Sequence, residues 1–255
     1  MPKYSEIADK AGKIIQDARN GVFAPVYLLM GTEPYYPDLV CGEIIKYALS
    51  DAERDFNQSV YYGLDTDADT VASDARSYPM MAERRLVVLK EAQNMKTLEA
   101  LSVYAAEPME STVLVILMHG ASSDKRKALY KNAQKNGIVL ESESLRDYEM
   151  PGWIASFYKS KGLNIDPDAA ALLAEYSGTE LDKIVIETEK LQKNLPEGTV
   201  NVTAADIEKN VGISRQFSIF ELTKELSLKN APKALKIASY IGSAAKFAMP
   251  MAVSA

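Results

Sequence analysis

The chain has 255 residues, enough for one large domain or two to three smaller ones with substantial apolar cores. Its single cysteine, Cys41, excludes an internal disulfide and fits a reducing compartment, and with a single histidine, His119, a His/Cys zinc site cannot be assembled. A net charge of -6 argues against wholesale wrapping of nucleic acid, while leaving room for a local basic patch.

The N-terminal stretch MPKYSEIADKAGKII is amphipathic and charged, without the apolar run of a signal peptide. Within it, residues 5–19 carry Ile7, Ala11, Ile14, Ile15 and Ala18 at helical spacing, with Gly21 as a stop. A short apolar strand follows at 26–30, then a helix at 39–49, a strand at 59–62 and a helix at 66–77. Strands are predicted again at 86–89, 113–118 and 138–140, separated by helices at 96–106 and 124–136. Short, continuously apolar strands alternating with helices predict a parallel sheet covered on both faces, an α/β fold. No apolar run reaches the roughly 20 residues of a membrane span.

Past residue 143 the strands are expected to stop. Helices are predicted at 150–161, from Asp166-Pro167 to Gly178, from Thr179 onward with Asp182 completing a capping box, and after a second box at Thr203 and Asp206. The third of these should bury Leu181, Ile184, Val185, Thr188 and Leu191. Residues 217–229 and 231–241 read as a helical hairpin opening a further domain. The predicted division is 1–143, 144–212 and 213–255, the last too short to close a core.

The loop after the first strand begins at Gly31, where an α/β protein would place a phosphate-binding loop. That loop needs glycines for close backbone approach, a lysine to reach the phosphates and a hydroxyl for magnesium. Counted from Gly31, the second glycine position holds Tyr36, the lysine position Pro37 and the hydroxyl position Asp38. The 86–89 strand ends in Lys90, where a magnesium-holding aspartate would stand in an ATPase of this architecture. A plain pair of loops at strand ends is the bland reading, and on either reading no nucleotide, cofactor or metal is expected. His119 reads as an ordinary strand-end residue.

Two other stretches stand out. In SYPMMAERR, Met80 and Met81 follow Pro79 outside any periodic pattern and precede Arg84 and Arg85. Pro79 disfavours helix at the preceding residue, so a projecting turn with an adaptable apolar pair is one reading. Packing of the methionines into the core is the other. Lys127, Lys131 and Lys135 recur at every fourth residue and form a basic stripe, either a solvated face or one turned toward a phosphate backbone.

Together, the degenerate loop LLMGTEPYY, the segment RRLVVLKEAQNM and the later ETEKL resemble the delta subunit of the bacterial DNA polymerase III clamp loader, over essentially the whole chain. The resemblance implies an AAA+ module: a RecA-type parallel-sheet domain with a degenerate phosphate loop, a small three-helix lid and the start of a helical collar. It implies no intrinsic ATPase or polymerase chemistry. The expected role is a non-catalytic subunit that binds and opens the ring-shaped sliding clamp (the beta subunit) during DNA replication. Its other partners would be the remaining loader subunits and, through them, primed DNA; its location would be cytoplasmic, with no membrane association. By position the family's clamp-contacting apolar pair maps onto Met80 and Met81, with Arg84 beside it. An inactive structural AAA+ subunit of the delta-prime kind is the second reading. A nucleotide-dependent enzyme with an atypical phosphate loop is the third.

Overall fold

The structure, a computed structural model, describes residues 3–196, 198–211 and 219–243, and the chain divides into two compact units, 1–144 and 145–255. The expected collar boundary at residue 213 and the hairpin's start at 217 lie outside the described residues.

The first unit runs α1 (Lys3–Arg19), β1 (Val26–Met30), α2 (Tyr35–Ala48), α3 (Asp51–Asn57), β2 (Gln58–Tyr62), α4 (Ala68–Ala75), β3 (Arg85–Lys90), α5 (Ser102–Ala106), β4 (Thr112–Leu117), α6 (Ala128–Asn136) and β5 (Ile138–Glu141). The five strands form one parallel sheet in the order β2-β3-β4-β1-β5. Strands β1 and β4, VYLLM and TVLVIL, are buried at every position, as continuous apolar runs in a sheet covered on both faces must be. One layer packs Leu28, Met30, Leu89 and Ile116 of the sheet against Val71 of α4, Tyr104 of α5 and Leu129 of α6. Helix α2 lies against β1 and β4, and α1 against β5, on the opposite face. Burying each such Leu or Ile contributes roughly 1.5–3 kcal/mol, so this two-faced core holds the strand ends that carry the candidate site.

Local signals set several boundaries. Asp67 caps α4 by accepting the Thr70 N–H at 2.8 Å. Ser50 and Glu53 form a capping box on α3, and hydrogen bonds from Ser50 hold the Glu53 carboxyl below its ordinary range. Gly137 joins α6 to β5 at a point where a Cβ would stand 2.1 Å from the Val26 carbonyl oxygen. The helix predicted at 96–106 is shorter than expected. Residues 96–106 hold a 3-10 turn at Leu98–Leu101 and only the five-residue α5. Side-chain amides of Asn132 and Asn136, from α6, donate to the carbonyls of Ser102, Ala105 and Ala106 there.

The second unit contains α7 (Met150–Ser160), β6 (Asn164–Ile165), α8 (Pro167–Ser177), α9 (Leu181–Asn194), β7 (Asn201–Val202), α10 (Ala204–Val211), α11 (Ile219–Ser227) and α12 (Ala231–Ser243). The strands do not stop at residue 143: β6 and β7 pair in parallel, two residues each. Four helices, α7 to α10, occupy the segment to which the resemblance assigns three. Trp153 stacks on Phe157 at 5.1 Å, and the buried Thr188 hydroxyl donates to the Ile184 carbonyl at 2.7 Å beside the Tyr158 hydroxyl. Leu181, Ile184, Thr188 and Leu191 are buried as expected, with Val185 only partly so.

The box at Thr203 and Asp206 is present, but the one expected at Thr179 is not. Helix α9 starts at Leu181 with Glu180 at the N-cap, which leaves Thr179 one residue too early to cap it. Asp166 stands at the N-cap of α8 without capping it; its carboxylate accepts the Asn201 side-chain amide at 2.9 Å instead.

Candidate functional site

In an open parallel sheet, a ligand is held outside the carboxyl ends of the strands, at the point where the strand order reverses, which in this order lies between β1 and β4. Here that place is the loop 31–35 beyond β1. Gly31 has φ 136° and a Cβ on it would stand 1.8 Å from the Ser142 carbonyl oxygen, so only glycine fits. A phosphate loop presents unengaged amides to its anion. In this loop the Gly31 N–H donates to Ala121 (2.8 Å), the Glu33 N–H to Ser142 (3.1 Å) and the Asp38 N–H to Pro34 (2.9 Å). The Tyr35 N–H donates to the Glu33 side chain at 3.1 Å.

Helix α2 begins four residues earlier than its pattern predicts and draws Tyr36 and Pro37 into the core. Asp38 lies in its first turn, with a carboxylate oxygen 3.1 Å from Nδ1 of His119 at the end of β4. His119 is distant from Asp38 in the sequence, and the fold brings the two together. Lys90 stands half-buried at the end of β3, near the buried Cys41 thiol. Burial pushes that thiol up to about 11, the Lys90 charge opposing the shift. The five residues Gly31, Tyr36, Pro37, Asp38 and Lys90 thus sit at strand and helix ends on one side of the sheet, around a loop whose Gly31 and Glu33 amides are taken up by Ala121 and Ser142. Among the described residues no group of three or more His, Cys, Asp or Glu could hold a metal ion, and no helix is long and apolar enough to cross a membrane.

The methionine turn is open to solvent. Met80 is 58% exposed and Met81 99%, so neither belongs to the core. Tyr78 and Phe56 add further exposed apolar surface nearby in the chain and fold. Three polar anchors hold the turn. Asn57, buried at the end of α3, accepts the Met80 N–H at 2.6 Å and donates to the Met80 carbonyl at 2.9 Å. Arg85 pairs with Asp74 in a mostly buried ion pair and reaches the Phe56 carbonyl and the Ser59 hydroxyl. Arg84 lies 4.8 Å over the Phe23 ring and donates to the Gly21 carbonyl and to Glu83. Its guanidinium is therefore turned toward the 21–23 segment, at the side of the exposed pair.

The basic stripe is partly redrawn. Helix α6 starts at Ala128, not Asp124, so Lys127 is the N-cap residue and only Lys131 and Lys135 are helical; all three are exposed. The Asp124 carboxylate accepts the Arg126 N–H and pairs with its guanidinium, folding 124–126 into a local turn. The helix is capped from elsewhere: Glu99 accepts the Leu129 N–H at 3.0 Å.

Comparison with known proteins finds a family likeness within the first unit. Residues 27–143 match the family model described as "DNA polymerase III, delta subunit". That match spans less than half of the chain and lies within the first unit. The chain is 28% identical over 229 residues to the DNA polymerase III subunit delta of Bacillus subtilis, an alignment covering 86% of this chain and 66% of the relative. It therefore spans slightly less than two thirds of that relative's length. The solved structure of the Bacillus subtilis DNA clamp loader delta protein superimposes with a TM-score of 0.68 at 24% identity, covering 93% of this chain and 73% of the other. At that identity the likeness shows the fold alone, a parallel-sheet α/β unit followed by helices.

Proposed function

We propose that this chain acts as a non-catalytic delta subunit of the DNA polymerase III clamp loader, binding the sliding clamp through Met80 and Met81. The observation that carries the reading is the exposed methionine pair on a turn whose flanks are anchored. Exposed large side chains are common singly, but an apolar pair held out on a fixed turn is a docking element. Methionine suits such a surface because its unbranched thioether adapts to the pocket it enters. Arg84 contributes at the rim, where its effect is smaller and salt-sensitive.

In this reading the loop 31–35 keeps the outline of a phosphate site with its Gly31, Glu33 and Tyr35 amides already engaged, and ATP is neither bound nor hydrolysed by this chain. Clamp opening is then a matter of differential affinity. A subunit that binds the open ring more tightly than the closed one shifts the ring equilibrium by that difference, and no further. ATP-driven work belongs to neighbouring loader subunits. Lys127, Lys131 and Lys135 supply a solvated basic face that could approach primed DNA in the assembled loader. The division into an α/β unit (1–143), a lid (144–212) and a collar beginning at 213 belongs to the same proposal, as does a cytoplasmic location.

The test is direct binding of the chain to the cognate sliding clamp, monitored by surface plasmon resonance with and without Mg-ATP. The proposal expects saturable binding that is indifferent to nucleotide. No binding, or binding that requires ATP on this chain, would overturn it.

A further inference from the structure

Met81 combines two features that pull in opposite directions. Its backbone is left-handed, with φ 52°, and its side chain is 99% exposed. A non-glycine residue in that region is strained, and such strain persists only where the surroundings impose it. Nothing packs around the Met81 side chain to impose it. The neighbouring residue does: Met80 is held at both its N–H and its carbonyl by the Asn57 carboxamide, at 2.6 and 2.9 Å. The same side-chain nitrogen also reaches the Glu53 carbonyl at 3.1 Å, tying the pin to helix α3. Asn57 is fully buried, so its donor and acceptor have no water to fall back on. The carboxamide accepts from the Met80 N–H through its oxygen and donates to the Met80 carbonyl through its nitrogen; an ionised aspartate cannot donate and an alanine can do neither.

We propose that Asn57 is a positioning residue for the docking turn: by pinning Met80 it keeps Met81 left-handed and projecting before any partner arrives. The inference rests on the docking reading above and adds that the turn is preorganised. A binding-competent conformation that is already populated avoids the affinity loss of one that must first be reached. Asn57 touches no partner in this scheme and acts through the backbone of Met80.

The experiment compares Met81→Leu with Met81→Ile in the full chain, using the cognate sliding clamp as the probe. The two side chains are isomers with the same atoms, but β-branching in isoleucine excludes it from the left-handed region far more strongly. The proposal expects Met81→Ile to bind about tenfold or more weakly than Met81→Leu. Asn57→Ala and Asn57→Asp should weaken binding similarly, with faster amide exchange at Met80 in the free chain. Equal affinities for the leucine and isoleucine variants, or parental affinity in a folded Asn57→Ala variant, overturn the positioning role. Should the Asn57 variants fail to fold, the Met81 pair, at an exposed position, decides alone. A parent chain that does not bind the clamp removes the docking reading itself, and the positioning role with it; a parent that binds while the isomers bind equally removes only the latter.

Discussion

The backbone N–H of Gly31 donates to the carbonyl of Ala121 at 2.8 Å, closing the first amide of the loop that would otherwise face a phosphate. The amides of Glu33, Tyr35 and Asp38 are engaged in turn, and Tyr36 and Pro37 are buried behind them. Opening this loop for an anion would break several hydrogen bonds and bring the Asp38 carboxylate toward it. Calorimetry with millimolar Mg-ATP is therefore expected to show no saturable heat. Micromolar binding would contradict the closed-loop account.

The same loop predicts a large packing penalty. Gly31→Ala places a methyl 1.8 Å from the Ser142 carbonyl oxygen at a backbone angle that L-residues rarely adopt. Main-chain atoms on both sides must shift, so the expected loss is about 3 kcal/mol or more in urea denaturation. A loss under about 1 kcal/mol would mean that β1 and the 142 segment separate easily.

Asp74→Ala should be more damaging than an ordinary surface change. It leaves the Arg85 guanidinium, with its side chain only 15% exposed, without its carboxylate partner. Removing one member of a buried pair costs about 3–5 kcal/mol, and partial exposure places this one at the lower end. Because Arg85 also reaches the Phe56 carbonyl, the variant should loosen the end of α3 as well. Hydrogen exchange around residues 56–59 checks this.

How much of this was legible in the sequence depends on how local each cause is. Strands β1 and β4 announce themselves as continuous apolar runs, and the unsuitability of Tyr36, Pro37 and Asp38 is legible from residue type alone. What fills the loop is not, because Ala121 and Ser142 arrive from distant parts of the chain. The start of α6 at Ala128 is set from a distance in the same way: Glu99, not a residue beside the helix, accepts its Leu129 N–H. Strands β6 and β7 are two residues long, too short for any alternation to show. Met80 and Met81 stood out by breaking periodicity, whereas Asn57, at the end of an ordinary short helix, carried no signal that it would pin them.

The Thr203–Asp206 box gives the second unit an acid-sensitive contribution. Hydrogen bonds from the Thr203 hydroxyl and N–H lower the Asp206 carboxyl below its usual 3.8. The folded value lies below the unfolded one, so the stabilisation is complete above about pH 4–5 and is lost as pH falls through the folded value. Thr203→Ala should cost about 0.5–2 kcal/mol at neutral pH and reduce the slope of stability against pH below about pH 4. An unchanged acid slope in the variant would assign that slope to other carboxylates.

The most direct measurement is the affinity of the Met80→Ala/Met81→Ala double variant for the cognate sliding clamp, beside its melting curve. Burying a methionine in a partner is worth roughly 1.5–3 kcal/mol, and interface energy concentrates in a few such anchors. With incomplete burial the double loss is about 2–5 kcal/mol, or roughly 30- to 3000-fold in affinity. Both side chains are exposed in the free chain, so its stability should change by no more than about 0.5 kcal/mol. A variant that melts like the parent and binds the clamp at least 30-fold more weakly is the predicted result. A folded variant that binds as tightly as the parent would contradict the assignment of this turn as the clamp-docking element.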